Sequence, residues 1–176
     1  MNSKQIKGIA VVSIADGTKL GTVDEVYVDP SDRRVVGFTL HSGGGGFLSR
    51  HRHDGLIDVS DIHSLGADAL TLDDASKVQD DAPKARDAGL LSIDELVKRK
   101  VVTENGTYVG QIATVEFDET DFRLAQIEVS PGFFKSNKHV PSNLVRSLGG
   151  DVVIVADEVV SDHESAQTAA EPAGNL

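Results

Sequence analysis

Apolar residues recur along this chain in short stretches with a period of two. Val36, Phe38 and Leu40 alternate with Val35, Gly37 and Thr39, and Ala125, Ile127 and Val129 repeat the alternation further on. A two-residue period puts one set of side chains on one face of a β-strand. The expectation is therefore that Val36, Phe38, Leu40, Ala125, Ile127 and Val129 face a core. The preceding segments change phase: Val23 is followed by Val26 and Val28, and Ile112 by Val115 and Phe117. A three-residue step flips the face of a strand, so both segments predict a bulge or sharp bend, as small closed barrels require. Asp16-Gly17 and Asn105-Gly106 are hairpin-turn signals. Asp29-Pro30-Ser31-Asp32 and Asp118-Glu119-Thr120-Asp121 make the next turns. The segments after Ile57 and Val140 read as a strand entering a short helical turn. Ala69–Leu72 and Val152–Val155 read as closing strands. One short helix is expected where Ser92-Ile93-Asp94-Glu95 fits the capping-box pattern ahead of Leu96 and Val97; its alternative is a loop leading into the next strand.

These signals come in pairs because the chain is an internal duplication. Asp16-Gly17-Thr18-Lys19-Leu20-Gly21-Thr22-Val23 aligns with Asn105-Gly106-Thr107-Tyr108-Val109-Gly110-Gln111-Ile112 at a shift of 89 residues. The same shift pairs Val26 with Val115, Asp29 with Asp118, Asp32 with Asp121, Arg34 with Arg123, Phe38 with Ile127 and Gly43 with Gly132. From Ile57 to Gly66 the match is with Val140 to Gly149, at a shift of 83. The lost six residues belong to a longer loop between Gly43 and Gly55. One register with a single gap marks two copies of one unit. The domain reading is copy one at 1–72, an acidic linker at 73–95 with the helix at its end, copy two at 96–155, and a solvated acidic tail at 156–176. Each copy is too small for a comfortable core of its own, so the two are expected to pack as an intramolecular pseudo-dimer.

Composition narrows the function. The 176 residues carry a net charge of −11 and no cysteine, which excludes disulfides, thiol catalysis and cysteine-ligated zinc. The copies themselves are near neutral, at −2 and 0; the linker contributes −4 and the tail −5. Dense binding to a phosphate backbone by the whole molecule is disfavoured. No run of apolar residues approaches the ~20 of a membrane-spanning helix, and MNSKQIKGIAVV has no signal-peptide core. A cytoplasmic location is expected.

In their order these features resemble the PRC-barrel family, named for the cytoplasmic domain of the photosynthetic reaction centre H subunit and shared by the C-terminal domain of the ribosome maturation factor RimM. The resemblance rests on the D/N-G-x-x-x-G opening (Asp16 to Gly21, Asn105 to Gly110), the aspartate turn, the glycine-rich stretch Gly45-Gly46-Phe47-Leu48 matched by Gly132-Phe133-Phe134, and His139-Val140-Pro141 followed by Gly150-Asp151-Val152. Copy one departs with Ile57-Asp58, which lacks the proline. The resemblance implies an all-β fold with minor helix, a tandem duplication of a small PRC-type β-barrel, and a non-catalytic adaptor or scaffold role with no family catalytic residues and no cofactor.

Candidate chemistry gathers in one loop of each copy. Copy one carries Phe47, Arg50 and Arg52 there; copy two carries Phe133, Phe134, Lys135 and Lys138. Positive charge beside phenylalanine suits a protein partner with acidic rim groups. It also suits RNA bases stacked on aromatics, and burial of the rings in the core is the third reading. The expected function is a protein-binding adaptor; the alternatives are an RNA- or ribosome-associated module resembling the RimM barrel, and a small-ligand or metal-binding protein. Gly43 to Gly46 beside Arg50 and Arg52 could cradle an anion, but no nucleotide-binding motif accompanies them. His41, His51, His53 and His63, with Asp54 and Asp61, are the weak candidates for metal ligands; Arg52 would oppose a cation, and an exposed polar loop is the plainer reading. Asp29, Asp32, Asp118 and Asp121 read as turn formers, with Arg34 and Arg123 in reach to pair with them. Further association into a homodimer is compatible with the duplication.

Overall fold

The structure, a computed structural model, describes residues 1–41, 54–79, 89–132 and 135–161. Copy one begins with a helix, α1 (Ser3–Ile6), followed by strands β1 (Ala10–Ser13), β2 (Lys19–Asp29), β3 (Arg34–His41) and β4 (Asp54–Asp58). A 3-10 turn (Val59–Asp61), β5 (Ile62–Leu65), β6 (Ala69–Leu72) and a second 3-10 turn (Ala75–Lys77) complete it. Copy two comprises β7 (Leu91–Ser92), α2 (Ile93–Leu96), β8 (Lys100–Thr103), β9 (Tyr108–Phe117), β10 (Leu124–Ser130) and β11 (Lys138–Pro141). It continues with a 3-10 turn (Ser142–Leu144), β12 (Val145–Leu148), β13 (Val152–Val155) and α3 (Glu158–Ser161).

Both sheets have one topology. The hydrogen-bonded order is β4-β3-β2-β1-β6-β5 in the first and β11-β10-β9-β8-β13-β12 in the second. The β1–β6 and β8–β13 pairs are parallel, and the other neighbours antiparallel. Among the described residues no pairing joins β4 to β5 or β11 to β12, so each unit is an open six-stranded path. The folded chain also extends beyond the expected limits of the copies. Gln79 bridges Leu56, and Leu91–Leu96 already belong to copy two. Ala156 and Val159 are buried, so the acidic tail does not start at 156.

The phase slips are bulges. Val23 opposes Leu40 and Val26 opposes Phe38, which leaves Asp24 and Glu25 facing Thr39 alone. Ala113 is the extra residue at the matching place in copy two. The Glu25 N–H released by the bulge donates to Thr39 Oγ1 at 2.9 Å, so the buried hydroxyl and the orphan amide satisfy each other. A second bulge was not foreseen. Tyr27 opposes Gly37 but Val28 opposes Val35, and Leu124 opposes Phe117 but Gln126 opposes Glu116, so Val36 and Ala125 are extra. The slip turns Val35 and Leu124 inward, leaves Val36 half-buried and exposes Ala125. The expectation that Val36 and Ala125 face the core is thus corrected; Phe38, Leu40, Ile127 and Val129 do.

The copies exchange their first residues. β7 of copy two pairs with β2 of copy one, Ser92 opposite Tyr27 and Leu91 opposite Val28. Reciprocally, Asn2 bridges Glu116, the Met1 N–H₃⁺ donates to the Phe117 carbonyl at 2.7 Å, and Val115 N–H donates to Ser3 Oγ at 3.3 Å. Each arm then enters a one-turn helix through a complete capping box, Asn2 with Gln5 and Ser92 with Glu95. Four residues are far too few for a stable isolated helix; the caps and the burial of Ile6, Ile93 and Leu96 hold these turns. Lys7 and Asp94 form an ion pair between them.

A pseudo-twofold axis passes between Arg34 and Arg123, which bridge in antiparallel fashion. Val35 N–H donates to the Phe122 carbonyl at 2.8 Å, and Leu124 N–H to the Arg33 carbonyl at 2.9 Å. Arg33 and Phe122 occupy equivalent positions with left-handed φ of 54° and 58°, a conformation costing a non-glycine residue roughly 1–2 kcal/mol. That backbone turns each side chain into the opposite copy. The Arg33 guanidinium donates to the carbonyls of Ser142, at 3.0 Å, and Val145. Phe122 packs edge-on against Phe38, ring centroids 6.2 Å apart. One apolar cluster spans both copies, which makes the molecule an intramolecular pseudo-dimer.

Phe122→Ala is expected to lower the unfolding free energy by about 3 kcal/mol, the usual cost of emptying a buried phenylalanine site. Arg33→Ala is expected to cost about 1–2 kcal/mol through the carbonyls it leaves unpaired. Urea unfolding should show a single transition in both variants, because the copies share a core.

Candidate interaction surface

The glycines of the repeated D/N-G-x-x-x-G motif position the loops singled out by sequence. Gly17 and Gly106 take the left-handed turn conformation, with φ of 68° and 82°. Gly21 and Gly110 serve a different need. A Cβ there would collide with the carbonyl oxygen of His41 or Ser130, the last residue of β3 or β10. The two glycines therefore let β2 and β9 press against the strand ends from which the loops depart. β3 and β10 run in opposite directions from the Arg34–Arg123 bridge, so His41 and Ser130 lie at opposite ends of the pseudo-dimer.

Phe47, Arg50, Arg52, His51, His53, Phe133 and Phe134 lie outside the described residues. Lys135 is exposed. Lys138 is half-buried, and its Nζ donates to the Val159 carbonyl at 3.2 Å, which ties β11 to α3. Beside it Asn137 Nδ2 donates to Glu128 Oε1 at 2.8 Å. That bond, above all, holds the Glu128 carboxyl below its usual pKa, with His139 and Lys4 adding positive charge. His41 is exposed, and His63 Nδ1 lies 3.0 Å from Asp73 Oδ1. Among the described residues no three of histidine, aspartate and glutamate converge to hold a metal.

The turn aspartates are structural. Asp29 Oδ1 accepts from the Ser31 and Asp32 amides at 2.8 and 3.4 Å; Asp118 Oδ1 accepts from the Thr120 and Asp121 amides at 2.7 and 3.1 Å. These amides hold the Asp118 carboxyl below its ordinary value. Arg123 reaches Asp121 at 3.6 Å, whereas Arg34 donates to the Asp121 carbonyl of the other copy at 2.9 Å instead of pairing within its own turn.

The family model for the PRC-barrel domain matches residues 1–79 and 89–159. The chain belongs to the PRC-barrel family. A comparison with curated proteins finds no match. Among the described residues of this PRC-barrel protein no helix is long and apolar enough to cross a membrane.

Sequence reasoning missed one surface of copy two, the outer face of β13, β8 and β9. Ser147, Ile154, Val102 and Tyr108 are direct partners across four strands, and Tyr108 is 55% exposed. The signal was present in the repeat alignment, where Tyr108 replaces Lys19 and Ile154 replaces Thr71.

Gly110→Ala is expected to destabilise by about 2–3 kcal/mol, since both the collision and the strained backbone persist. Gly106→Ala, with open space around it, should cost about 1 kcal/mol. A separate expectation concerns acid. Asp16, Asp74, Asp118, Glu119 and Glu128 all have lowered pKa values in the fold. Their stabilisation is complete above the ordinary carboxylate values of 3.8 and 4.5 and is lost as pH falls through the lowered ones. Urea midpoints should fall on going from about pH 5 to about pH 3, and Asp118→Asn should reduce that fall.

Proposed function

We propose that this PRC-barrel protein is a non-catalytic adaptor that binds protein partners through two separate ends. The observation that supports the reading is the divergence of β3 and β10 from the pseudo-twofold axis, which sets the two loop bases at His41 and Ser130 far apart on one shared core. One loop carries Phe47, Arg50 and Arg52, and the other Phe133, Phe134 and Lys135. Two ends of different composition on one core suit a bridge between two partners better than a single enclosed site. A surface hollow between Met1, Gln5, Leu65 and Glu119 is open, and the Met1 ammonium and the Glu119 carboxylate that line it already pair with each other at 2.7 Å.

Affinity capture of the tagged protein from its own cells, with and without RNase, tests the reading. The expected outcome is a stoichiometric protein partner that survives RNase and is lost when Phe47, Phe133 and Phe134 are changed together to serine in a chain that still unfolds cooperatively. Capture of ribosomal proteins that disappear with RNase would replace the adaptor by an RNA-associated module. Capture of nothing would count against both.

A further inference from the structure

We propose that the outer face of β13, β8 and β9 is a docking surface for an acidic partner segment carrying apolar side chains. The inference rests on the adaptor reading and gives it a surface that the loop residues do not supply.

The argument is a comparison of the protein with itself. In copy two the outward row is Ser147–Ile154–Val102–Tyr108. The equivalent row in copy one is Ser64–Thr71–Val12–Lys19. The neighbouring row is Val152–Lys100–Gln111 in copy two and Ala69–Ala10–Thr22 in copy one. Strand order and pairing are the same in both, and the two faces differ by substitution: Ile154, Tyr108 and Val152 stand where copy one has Thr71, Lys19 and Ala69, Val102 matches Val12, and copy one bears the 51% exposed Ile14 just past β1. A sheet face left to water is ordinarily polar. Copy two places Ile154 and Tyr108 on either side of Val102. Tyr108 is 55% exposed, and its hydroxyl has no hydrogen-bond partner among the described residues. A large ring with one polar end is the kind of residue that carries binding energy at protein interfaces.

Charge selects the occupant. Lys98 and Lys100 are exposed and make no ion pair among the described residues. Lys98 holds a left-handed φ of 72° at the position where copy one has Gly8, φ 80°, so a lysine sits at a place that glycine fills without strain. Lys100, in the row next to Val102 and Ile154 and without an ion pair among the described residues, favours carboxylates on the partner, with Lys98 two residues before it adding positive charge. A second copy of this chain is disfavoured by charge, since both partners would carry a net −11. The chain's own acidic C-terminal residues are the competing occupant, because Asp157 accepts from the Asn105 amide at 3.1 Å and from its Nδ2 at 2.8 Å in the β8–β9 turn; a chain ending at Ser161 therefore enters the test.

The test uses the full-length protein and a phage-displayed library of random peptides about twelve residues long, enough to span the strand rows at ~3.3 Å per residue. Enriched peptides are synthesised, and their footprints mapped by amide chemical shifts. The expected result is peptides rich in aspartate or glutamate beside valine, leucine or phenylalanine, with shifts concentrated at Lys100, Val102, Tyr108 and Ile154. Tyr108→Lys with Ile154→Thr should weaken binding at least about tenfold, the effect of losing an interface anchor. That pair reproduces copy one, so the fold tolerates it, and an unchanged Tm verifies this. Lys98→Glu with Lys100→Glu should weaken binding as strongly. A footprint at the ends near His41 or Ser130–Lys138 would overturn this surface while leaving the adaptor reading intact. Enriched peptides without acidic residues, tighter peptide binding by a chain ending at Ser161, or a self-associated protein that Tyr108→Lys renders monomeric would each overturn the proposed occupant. No enrichment over a polar control scaffold would overturn the docking surface outright.

Discussion

Two backbone hydrogen bonds at the pseudo-twofold axis, Val35 N–H to the Phe122 carbonyl and Leu124 N–H to the Arg33 carbonyl, join the sheets where neither has enough core of its own. A unit of about 70 residues buries only some 60% of the surface its unfolded chain exposes. Joining two units covers the apolar faces of Val35, Val115, Phe117 and Leu124 at once. Once β3 and β10 are bridged at their starting residues, their directions, the separation of their far ends and the side from which each loop departs follow from strand geometry. The exchanged arms and the crossing side chains of Arg33 and Phe122 reinforce a join that the backbone has already specified.

The sequence was most legible where the signals are local. The hairpin glycines, the capping box at Ser92 and the bulge between Val23 and Val26 each depend on residues within one turn of the chain, and the duplication displayed each of them twice. The arm exchange was not legible, because pairing of Asn2 with Glu116 has no period and no neighbour to announce it; the Asn2–Gln5 cap, the counterpart of Ser92–Glu95, was the available clue. Val36 and Ala125 misled because a single extra residue in a strand reverses its inward face, and a valine is acceptable on either side. Left-handed backbone at Arg33 and Phe122 could not be read from residue type, since glycine is what that conformation usually advertises. The exposed row at Tyr108 is visible as substitutions in the repeat alignment, but its meaning depends on knowing which face looks outward.

The two halves have kept one topology and diverged in what crosses between them. At equivalent positions an arginine reaches carbonyls and a phenylalanine reaches a ring. The join is therefore between two different surfaces, and not the self-complementary contact that exact twofold symmetry would give. Freed from identical partners, the halves can also differ outside the join, as β6 and β13 do with Thr71 and Ile154.

The arm exchange also bears on the order of events during synthesis. Met1, Asn2 and Ser3 find their partners at Val115, Glu116 and Phe117, so the beginning of the chain must wait, unpaired, until the middle of copy two has left the ribosome. The β2 edge at Tyr27 and Val28 waits in the same way for Leu91 and Ser92. Copy one emerges first yet cannot be finished first; it remains a nascent sheet with an open flank, and the last steps of its folding are set by the emergence of the second copy.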